Sequence, residues 1–598
     1  MTAPDVTLAY AQCRTMCDVF DTTVRRHADQ IALRTTDSDT CWTYAQYAAA
    51  VADAAAALDG CGVRRGDTVA LMFENVPSFH IVDAAVMHLG AATCSIYNTS
   101  PTKDIHHNLR SSGARLAVCE PEFAERLREA DNDLRIVVTE RAAGYETLDE
   151  LPRPADFDFE STWRAVEPDD VLTLIYTSGT TGAPKAVELT HGGILAEVFL
   201  AAEFLEFRPG DRVPSALPMA HAAQRWGTHY NAMTFALEVV CIDDIAMLGA
   251  SLVTMQPDIW GTVPRILEKL VAAVSARLGG DGEASPGAQA IEVGARYAQA
   301  VQRFRSGSDG PPSPSLQFER DKAEPVLAHI RHSIGLGRLR WLMVGAAPTP
   351  PHVQNFLTAL GIEVVEVWGM SELGAVATVN PVGAQKLGTV GKALRGVDIT
   401  TADDGEVLVR GPILMRGYRG QPQETSESFS EENYFKTGDL GQIDDQGYLS
   451  ITGRKKEIIV NAAGKNISPV KVESTIKAHS SLIGSVVAIG DARPFLTALV
   501  VLDPEALSQF ITEHELGTDV LGDPAGCSAV TDCIADAIDR GNTELARVEQ
   551  IKRHLVLNAF WLPGSDELTP TLKLKRRVIA EKFASQIDSL YAAAEAAQ

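Results

Sequence analysis

The chain is poor in cysteine and in long apolar runs, and both shortages exclude classes of protein. Nine cysteines stand among 598 residues, and none forms a Cys-x-x-Cys pair. This usage excludes a disulfide scaffold or a zinc ribbon and predicts reduced thiols in a cytoplasmic protein. The longest apolar stretches, such as Phe495–Leu502, fall far short of the ~20 residues that a membrane-spanning helix needs. We therefore expect no integral membrane segment.

Positive charge is also scarce. Lys and Arg total 53 against 78 Asp and Glu, a net charge of −25 at pH 7. Such a chain repels phosphate backbones and anionic lipids, so we expect no nucleic-acid partner and no polybasic membrane docking. Peripheral membrane contact of another kind stays compatible with the sequence. Residues Met1–Met16 lack a basic region followed by an apolar run, so we expect no secretory signal.

Buried strands alternate with helices over most of the chain. Asp67–Phe73, Ala91–Ile96 and Arg115–Cys119 predict strands, and Pro77–Leu89 predicts a helix between the first two. This alternation is typical of βαβ units and parallel sheets. A Gly-, Pro- and Ser-rich segment at about 276–318 interrupts it, and we predict an exposed insertion with helical pieces.

The pattern of predicted helices and strands changes near residue 455. Lys471–Ala478 predicts a helix, and Ser485–Gly490 and Leu496–Leu502 predict antiparallel strands. The fold class that we predict is α/β, with a large N-terminal domain of parallel and mixed sheets plus a small, mobile α+β C-terminal domain. The expected boundaries are residues 1–452 for the first domain, 453–456 for a hinge and 457–598 for the second.

The strongest chemical signal is the segment Tyr176-Thr-Ser-Gly-Thr-Thr-Gly-Ala-Pro-Lys185, which follows an apolar strand directly. Its two glycines let backbone amides approach a ligand, its hydroxyls add donors and its lysine adds positive charge. These features are typical of a polyphosphate cradle, although Pro184 departs from the usual P-loop pattern. The predicted phosphate-binding residues are Thr177, Ser178, Gly179, Thr180, Thr181, Gly182 and Lys185.

Five further segments stand out along the chain: Val344-Gly-Ala-Ala-Pro348, Trp368-Gly-Met-Ser-Glu372, Tyr434-Phe-Lys-Thr-Gly-Asp439, Gly453-Arg-Lys-Lys-Glu-Ile-Ile459 and Leu568-Thr-Pro-Thr-Leu-Lys573. Together with the first segment they resemble, in the same order, the motifs of the adenylate-forming superfamily, which includes acyl-CoA synthetases, luciferases and adenylation domains of peptide synthetases. The matches span residues 170–577, approximately, and their shared order makes coincidence negligible.

The resemblance implies a site for ATP and AMP with Mg²⁺. Asp439 is expected to hold the ribose, because a carboxylate can accept hydrogen bonds from both hydroxyls of a cis-diol. Arg454, a permanent cation, is expected at the ribose or the phosphate. Glu372 and Thr181 are the predicted magnesium ligands, because this ion prefers oxygen. The remaining nucleotide-binding residues implied are Gly345, Ala346, Ala347, Trp368, Gly369, Met370 and Ser371.

The resemblance also implies catalytic residues besides Glu372. Lys573 is expected to stabilise the charge that develops as a carboxylate attacks the α-phosphate. His221 is expected at the carboxylate end of an acyl pocket, with a packed core histidine as the alternative. Trp226 is a candidate gate of the acyl channel, and the alternative is a tryptophan that only fills the core.

The resemblance further assigns a second step to the C-terminal part of the chain. Lys456 matches the hinge residue about which the small domain turns. Gly464 and Lys465 match the loop that lines the pantetheine tunnel of coenzyme A, with an ordinary β-turn as the alternative.

We therefore predict an ATP-dependent fatty-acid–CoA ligase that forms an acyl-AMP and then a thioester with coenzyme A. The long-chain substrate rests on resemblance alone, through the segment Pro218–Trp226, the insertion and the Thr-Pro-Thr-Leu-Lys573 ending. Two alternatives stay open. One is a fatty acyl-AMP ligase that loads an acyl carrier protein, and the other is a non-catalytic acyl or nucleotide sensor.

Overall fold

The computed structural model describes residues 10–36, 40–177, 184–279, 285–562, 564–569 and 573–595. Its largest sheet has eight strands, of which six run parallel and two form an antiparallel edge. In spatial order the strands are Gly417–Tyr418, Lys185–Thr190, Val171–Thr177, Ala92–Ser95, Thr68–Met72, Leu116–Cys119, Arg135–Val138 and Glu146–Thr147.

The centre of this sheet is buried on both faces. Every residue of Thr68–Met72 and Leu116–Cys119 is buried, as expected for parallel strands that helices cover on both sides. The helix Pro77–His88 packs on this sheet, and the helix Tyr44–Gly60 packs against that helix. Tyr44–Gly60 begins at a capping box, in which the side chains of Thr43 and Gln46 each accept the other's backbone N–H. The predicted βαβ arrangement of an α/β protein is confirmed.

Three further sheets complete the large N-terminal part. The second sheet is mixed, the third has one antiparallel strand at its edge, and the fourth is antiparallel throughout. In spatial order, the strands of the second sheet are Ile259–Thr262, Trp341–Val344, Val364–Trp368, Thr378–Val379 and Lys392–Ala393. Those of the third sheet are Arg212–Ser215, Glu238–Cys241, Ile31–Thr35 and Cys41–Thr43. Those of the fourth sheet are Asp398–Thr401, Glu406–Arg410, Phe435–Ile443 and Leu449–Arg454.

The C-terminal part has its own sheets. A short ribbon joins Ile459–Val460 to Asn466–Ile467. Beyond it, Ile483–Ile489 and Leu496–Leu502 pair antiparallel, as predicted, and Ile551–Val556 adds a parallel strand that the sequence did not indicate.

The α-helices lie between and around these strands. Along the chain they are Met16–His27, Tyr44–Gly60, Pro77–His88, Thr102–Ser112, Ala124–Ala130, Phe159–Arg164, His191–Ala201, Ala222–Arg225, Asn231–Phe235, Leu248–Met255, Pro264–Gly279, Pro286–Arg305, Pro314–Ser333, Pro351–Ala359, Pro422–Glu427, Pro469–Lys477, Pro504–Glu513, Ser528–Glu544, Arg576–Lys582 and Ala584–Glu595. None of the helices in the described ranges is both long and apolar enough to cross a membrane.

The clusters of buried apolar residues fall into two groups, one on each side of the proposed hinge. Three clusters of buried residues draw only on residues up to Leu449, and two others draw only on residues from Ile459 onward. Separate cores are the mark of separate domains. We therefore keep 1–452 and 457–598 as the proposed domains. Within the proposed hinge, Gly453 and Arg454 end a strand and Lys455 and Lys456 begin a turn.

The insertion contains two long helices, Pro286–Arg305 and Pro314–Ser333, joined by an exposed loop. These helices pack together as a hairpin, which agrees with the helical pieces predicted for about 276–318. The second helix continues fifteen residues past 318, so the insertion is longer than the composition alone indicated.

Candidate active site

Two antiparallel strands bring the predicted ribose-binding pair together. Phe435–Ile443 and Leu449–Arg454 pair so that Asp439 lies directly opposite Arg454. The Nε of Arg454 is 3.0 Å from Oδ1 of Asp439, and the indole N–H of Trp368 donates to Oδ2 at 2.8 Å. Asp439 is buried, yet its Oδ1 accepts no aligned hydrogen bond among the described residues. An acceptor therefore remains for a ligand hydroxyl.

A tight turn carries the predicted magnesium ligand. After the strand ending at Trp368, Gly369, Met370 and Ser371 lead into the single 3₁₀ turn Ser371–Leu373, which contains Glu372. A Cβ atom at Gly369 would lie 2.2 Å from the carbonyl oxygen of Ala375, so only glycine fits there.

The buried carboxyl group of Glu197 supports this turn. Oε1 of Glu197 accepts the backbone N–H of Val376 at 2.6 Å. Gly374 has φ +81°, and a Cβ atom there would strike Oε2 of Glu197 at 2.2 Å. Burial raises the pKa of Glu197 well above its usual value, which favours the neutral form of this carboxyl group.

The phosphate-loop lysine lies at the same site as Glu372. Lys185 pairs with Thr177 across two strands, and its Nζ is 4.8 Å from the ring centroid of Tyr418. The hydroxyl of Tyr418 donates to Oε1 of Glu372 at 2.9 Å. The other predicted loop residues, Ser178, Gly179, Thr180, Thr181 and Gly182, lie outside the described residues.

The predicted adenine turn follows the strand Trp341–Val344. In it, Ala346 has φ +70°, a left-handed conformation that costs a non-glycine residue about 1–3 kcal/mol. Gly345 packs against Val367, since a Cβ atom there would be 2.8 Å from the Cγ2 of that valine. Ala347 follows directly. Strained backbone of this kind clusters at ligand-binding turns.

Lys573 reaches this site from the C-terminal part of the chain. Its loop is closed by Thr569, whose side chain accepts the backbone N–H of Lys573 at 3.0 Å. Burial, and then the charge of Arg454, lower the pKa of Lys573, while Asp439 and Glu372 act in the opposite direction. The side chain of Lys573 therefore lies within electrostatic range of three predicted nucleotide-binding residues, Arg454, Asp439 and Glu372.

His221 lies within electrostatic range of Lys573. Burial, assisted by the Lys573 charge, lowers the pKa of His221 to about 4, so the imidazole is neutral at pH 7. Nδ1 of His221 accepts the backbone N–H of Ala223 at 3.3 Å, which assigns the proton to Nε2. Groups with displaced pKa values gather at functional sites. The site therefore combines a lysine with a neutral N–H donor.

Known proteins share this architecture. The model of the AMP-binding enzyme family matches residues 20–419, and that of the AMP-binding enzyme C-terminal domain matches residues 456–595. The chain belongs to the AMP-binding enzyme family. This assignment confirms the resemblance to the adenylate-forming superfamily.

Relatives and solved structures cover most of the chain. FadD11 of Mycobacterium tuberculosis, whose name gives it provisionally as a fatty-acid–CoA ligase, is 44% identical over 76% of this chain and 79% of its own. The long-chain-fatty-acid–CoA ligase FadD15 of the same species is 34% identical over 92% of both chains. The O-succinylbenzoate coenzyme A synthetase of Bacillus subtilis, solved with ATP and magnesium, matches with TM-score 0.67, 21% identity and coverage of 94% and 98%. That last likeness bears on the fold alone.

The donor set of this AMP-binding enzyme fits magnesium. Among the described residues, no three His, Cys, Asp or Glu side chains converge on a common point that could hold a metal. Glu372 forms no salt bridge within those residues. A single carboxylate suits a hard ion that keeps several waters and takes further oxygens from phosphates.

Other predicted residues lie away from these contacts. Lys456 is exposed in the turn after the strand Leu449–Arg454, and Gly464 and Lys465 are exposed in the turn of the C-terminal ribbon. Trp226 is 1% exposed and belongs to the large apolar core, with no partner for its Nε1 among the described residues. Their predicted roles at the hinge, the tunnel and the acyl channel stay predictions.

Sequence reasoning missed two residues of the site, Glu197 and Tyr418. Glu197 is the one acidic residue of the mostly apolar helix His191–Ala201, and a carboxylate in such a helix is the signal that could have found it. Tyr418 contacts Glu372 across 46 residues, and no local pattern marks that contact.

Proposed function

We propose that this AMP-binding enzyme couples a long-chain fatty acid to coenzyme A at the expense of ATP. In the first step the carboxylate attacks the α-phosphate, forms a mixed anhydride with AMP and expels pyrophosphate. In the second step the coenzyme A thiol displaces AMP from the acyl carbon and loses its proton. One observation carries the proposal, the convergence of Lys573, His221, Glu372 and Asp439 on one site.

The nucleotide would lie between the two parts of the chain. Asp439 offers an acceptor oxygen to the ribose hydroxyls, with Trp368 and Arg454 fixing the carboxylate. Gly345, Ala346 and Ala347 form the turn proposed to face adenine. Lys185 supplies positive charge for the phosphates, together with the loop residues Thr177, Ser178, Gly179, Thr180, Thr181 and Gly182.

Lys573 and His221 would act at the reacting atoms. An ammonium held in a poorly solvated site interacts strongly with the negative charge that develops on the α-phosphate and carboxylate oxygens. The neutral Nε2–H of His221 can donate to a carboxylate without adding a second positive charge beside Lys573. Magnesium, held by Glu372 and Thr181, would neutralise charge on the leaving pyrophosphate.

The second step would need the small domain to turn. We propose Lys456 as the pivot and the Gly464–Lys465 turn as the lining of the coenzyme A tunnel, with Trp226 at the acyl channel. Rotation withdraws Lys573 once the adenylate has formed, which is a conformational gate.

The names of the relatives support the fatty-acid substrate and the thioester product. FadD15 is named for long-chain fatty acids, and FadD11 is named provisionally for fatty acids. For location, we propose the cytoplasm, on the basis of the cysteine usage, with peripheral membrane contact where the lipid substrate is taken up.

The test is ATP–pyrophosphate exchange over a panel of carboxylic acids, with and without coenzyme A. We expect exchange with palmitate, a thioester only when coenzyme A is present, and a fall of at least 100-fold in Lys573→Ala, the loss seen when one charge-stabilising donor is removed. Arg577→Ala is the matched control, because it removes an exposed positive charge from the same segment. Its exchange should equal that of wild type.

Two results would favour the alternatives. Exchange with long-chain acids but no thioester on coenzyme A would support a ligase that loads a carrier protein. ATP binding without exchange for any acid would support a sensor. Activity on acetate or aryl acids only would contradict the long-chain substrate.

A further inference from the structure

Tyr418 stands between two opposite charges of the proposed ATP site. Its hydroxyl donates to Oε1 of Glu372 at 2.9 Å, and its ring lies under the ammonium of Lys185, 4.8 Å from the centroid. One side chain therefore contacts the anion through its hydroxyl and the cation through its face, where an aromatic ring attracts positive charge.

The backbone fixes this tyrosine firmly. Gly417–Tyr418 forms the edge of the large sheet and pairs with the strand that Lys185 begins. The N–H of Tyr418 donates to Oγ1 of Thr425 at 2.9 Å. Three residues earlier, the N–H of Met415 donates to the carbonyl of Glu372 at 2.8 Å. The segment thus holds the sheet edge and the Glu372 turn in one frame.

Glu372 and Lys185 would attract one another if nothing separated them. Both are partly buried, and opposite charges interact more strongly there than in water. Neither forms a salt bridge with any residue that the structure describes. A direct pair between them would consume the carboxylate that suits magnesium and the ammonium that suits phosphate.

We propose that Tyr418 is a positioning residue that keeps Glu372 and Lys185 apart and so holds both ready for magnesium and ATP. This inference rests on the proposed function. It assigns separate tasks to two parts of one side chain. The hydroxyl orients the carboxylate, and the ring holds the ammonium.

The test measures binding in the absence of a fatty acid and of coenzyme A. Mn²⁺ serves as a paramagnetic probe in place of magnesium, and its affinity with ATP present is followed by electron paramagnetic resonance. The affinity for ATP without metal is measured by calorimetry. The variants are Tyr418→Phe and Tyr418→Leu, and the control is Tyr145→Phe, which removes a tyrosine hydroxyl that donates to Oε2 of Glu125 at the surface, with Arg128 over the ring.

Tyr418→Phe should weaken Mn²⁺ binding about tenfold, the value of one hydrogen bond to a charged group, and leave metal-free ATP binding unchanged. Tyr418→Leu should weaken both, because Lys185 is then free to pair with Glu372. Adding Glu372→Gln to Tyr418→Leu should restore metal-free ATP affinity, since the lysine loses its partner. Tyr145→Phe should match wild type in both measurements.

Wild-type affinities in Tyr418→Phe and Tyr418→Leu would overturn the inference. So would a loss of ATP affinity in Tyr418→Leu that Glu372→Gln does not reverse, because the defect would then be a packing defect. If Mn²⁺ and ATP bind as expected but no acid supports exchange, the proposed function fails and the role of Tyr418 stands. If wild type binds no Mn²⁺ with ATP, both fail.

Discussion

At the scale of single residues, burial decides the charge states in this site. The pKa of Lys573 is lowered, and His221 is a neutral donor whose pKa is about 4. Each owes its shift chiefly to lost solvation, which disfavours the charged form. The charge of Lys573 adds to the lowering of the His221 pKa.

The lowered pKa of Lys573 predicts an alkaline limit to adenylation. The wild-type ATP–pyrophosphate exchange should fall as pH rises through that pKa, which lies below the ordinary 10.5, because the ammonium loses its charge. Lys573→Arg keeps its charge at all these pH values, so its smaller activity should persist at higher pH. Exchange rates between pH 7 and 10 check this. The same limit in both proteins would assign it to another group.

The buried carboxyl group of Glu366 should make the stability of the protein depend on pH. Burial raises the pKa of Glu366 to about 7 from 4.5, so the folded state holds this proton longer than the unfolded state. The contribution of this group to the free energy of unfolding is fully present below pH 4.5 and is lost as pH rises through 7. The free energy of unfolding of Glu366→Gln should therefore rise relative to that of wild type between pH 4.5 and 7, by up to about 3 kcal/mol.

Thermal unfolding midpoints at a series of pH values measure this gain. Glu363→Gln is the control, because it changes a more exposed carboxyl group at the start of the same segment. A gap between Glu366→Gln and wild type that does not change with pH would contradict the assignment.

At the scale of elements, His221 depends on a helix too short to stand alone. Ala222–Arg225 has four residues and continues into the π-helical turn Trp226–Tyr230, whereas isolated helices need ~12–15 residues. Arg225 anchors it through a buried ion pair with Asp83 and a hydrogen bond to Ser95 at 2.6 Å. The N–H of Arg225 donates to the carbonyl of His221 at 3.2 Å, so the anchor also fixes the histidine.

Asp83→Asn should destabilise the protein by about 3–5 kcal/mol, because Arg225 then stays buried without its counter-charge. The double variant Asp83→Leu/Arg225→Met removes both charges and should recover most of that loss. It should still raise the KM for the fatty acid more than the KM for ATP, since His221 is less well held. Unfolding midpoints and the two KM values check these outcomes.

An exposed pair provides the comparison. Glu160→Gln breaks a pair with Arg164 in which both side chains are about half exposed, and it should cost less than about 1 kcal/mol. If Asp83→Asn costs no more than Glu160→Gln, the ion pair is not the anchor.

At the scale of the whole molecule, ion pairs join the two proposed domains. Lys477 Nζ lies 2.9 Å from Oε2 of Glu268, Arg265 pairs with Asp503, and Lys269 Nζ lies 2.7 Å from Oε2 of Glu505. These contacts link the helix Pro264–Gly279 to the C-terminal part in the arrangement that places Lys573 in the site. They should therefore favour the first half-reaction.

Arg265→Gln should lower ATP–pyrophosphate exchange several-fold and make it less sensitive to salt. In wild type, raising ionic strength from 0.05 to 0.5 M should lower exchange, because salt screens pairs that are partly exposed. Arg296→Gln removes one partner of an ion pair with Glu319 inside the insertion and serves as the control. Equal salt dependence in wild type and Arg265→Gln would contradict this role.

The sequence by itself determined the local backbone and the chemical type of the site. Apolar strands alternating with helices predicted the parallel sheet, and six ordered motifs predicted the family. These features are readable because a strand, a capping box or a glycine-rich turn depends on neighbours a few residues away.

Only the tertiary structure decided which side chains meet. The segment Gly438–Tyr448 is rich in turn-forming residues, and its second half does form a turn, in which the N–H of Gly447 donates to the carbonyl of Asp444 at 3.0 Å. The strand Phe435–Ile443 runs through its first half, with a bulge at Leu440–Gly441, and its register sets Asp439 against Arg454. The pairing of Tyr418 with Glu372 and the approach of Lys573 to His221 likewise depend on contacts between distant segments. Strand register and domain packing determine these contacts, and no local pattern encodes either of them.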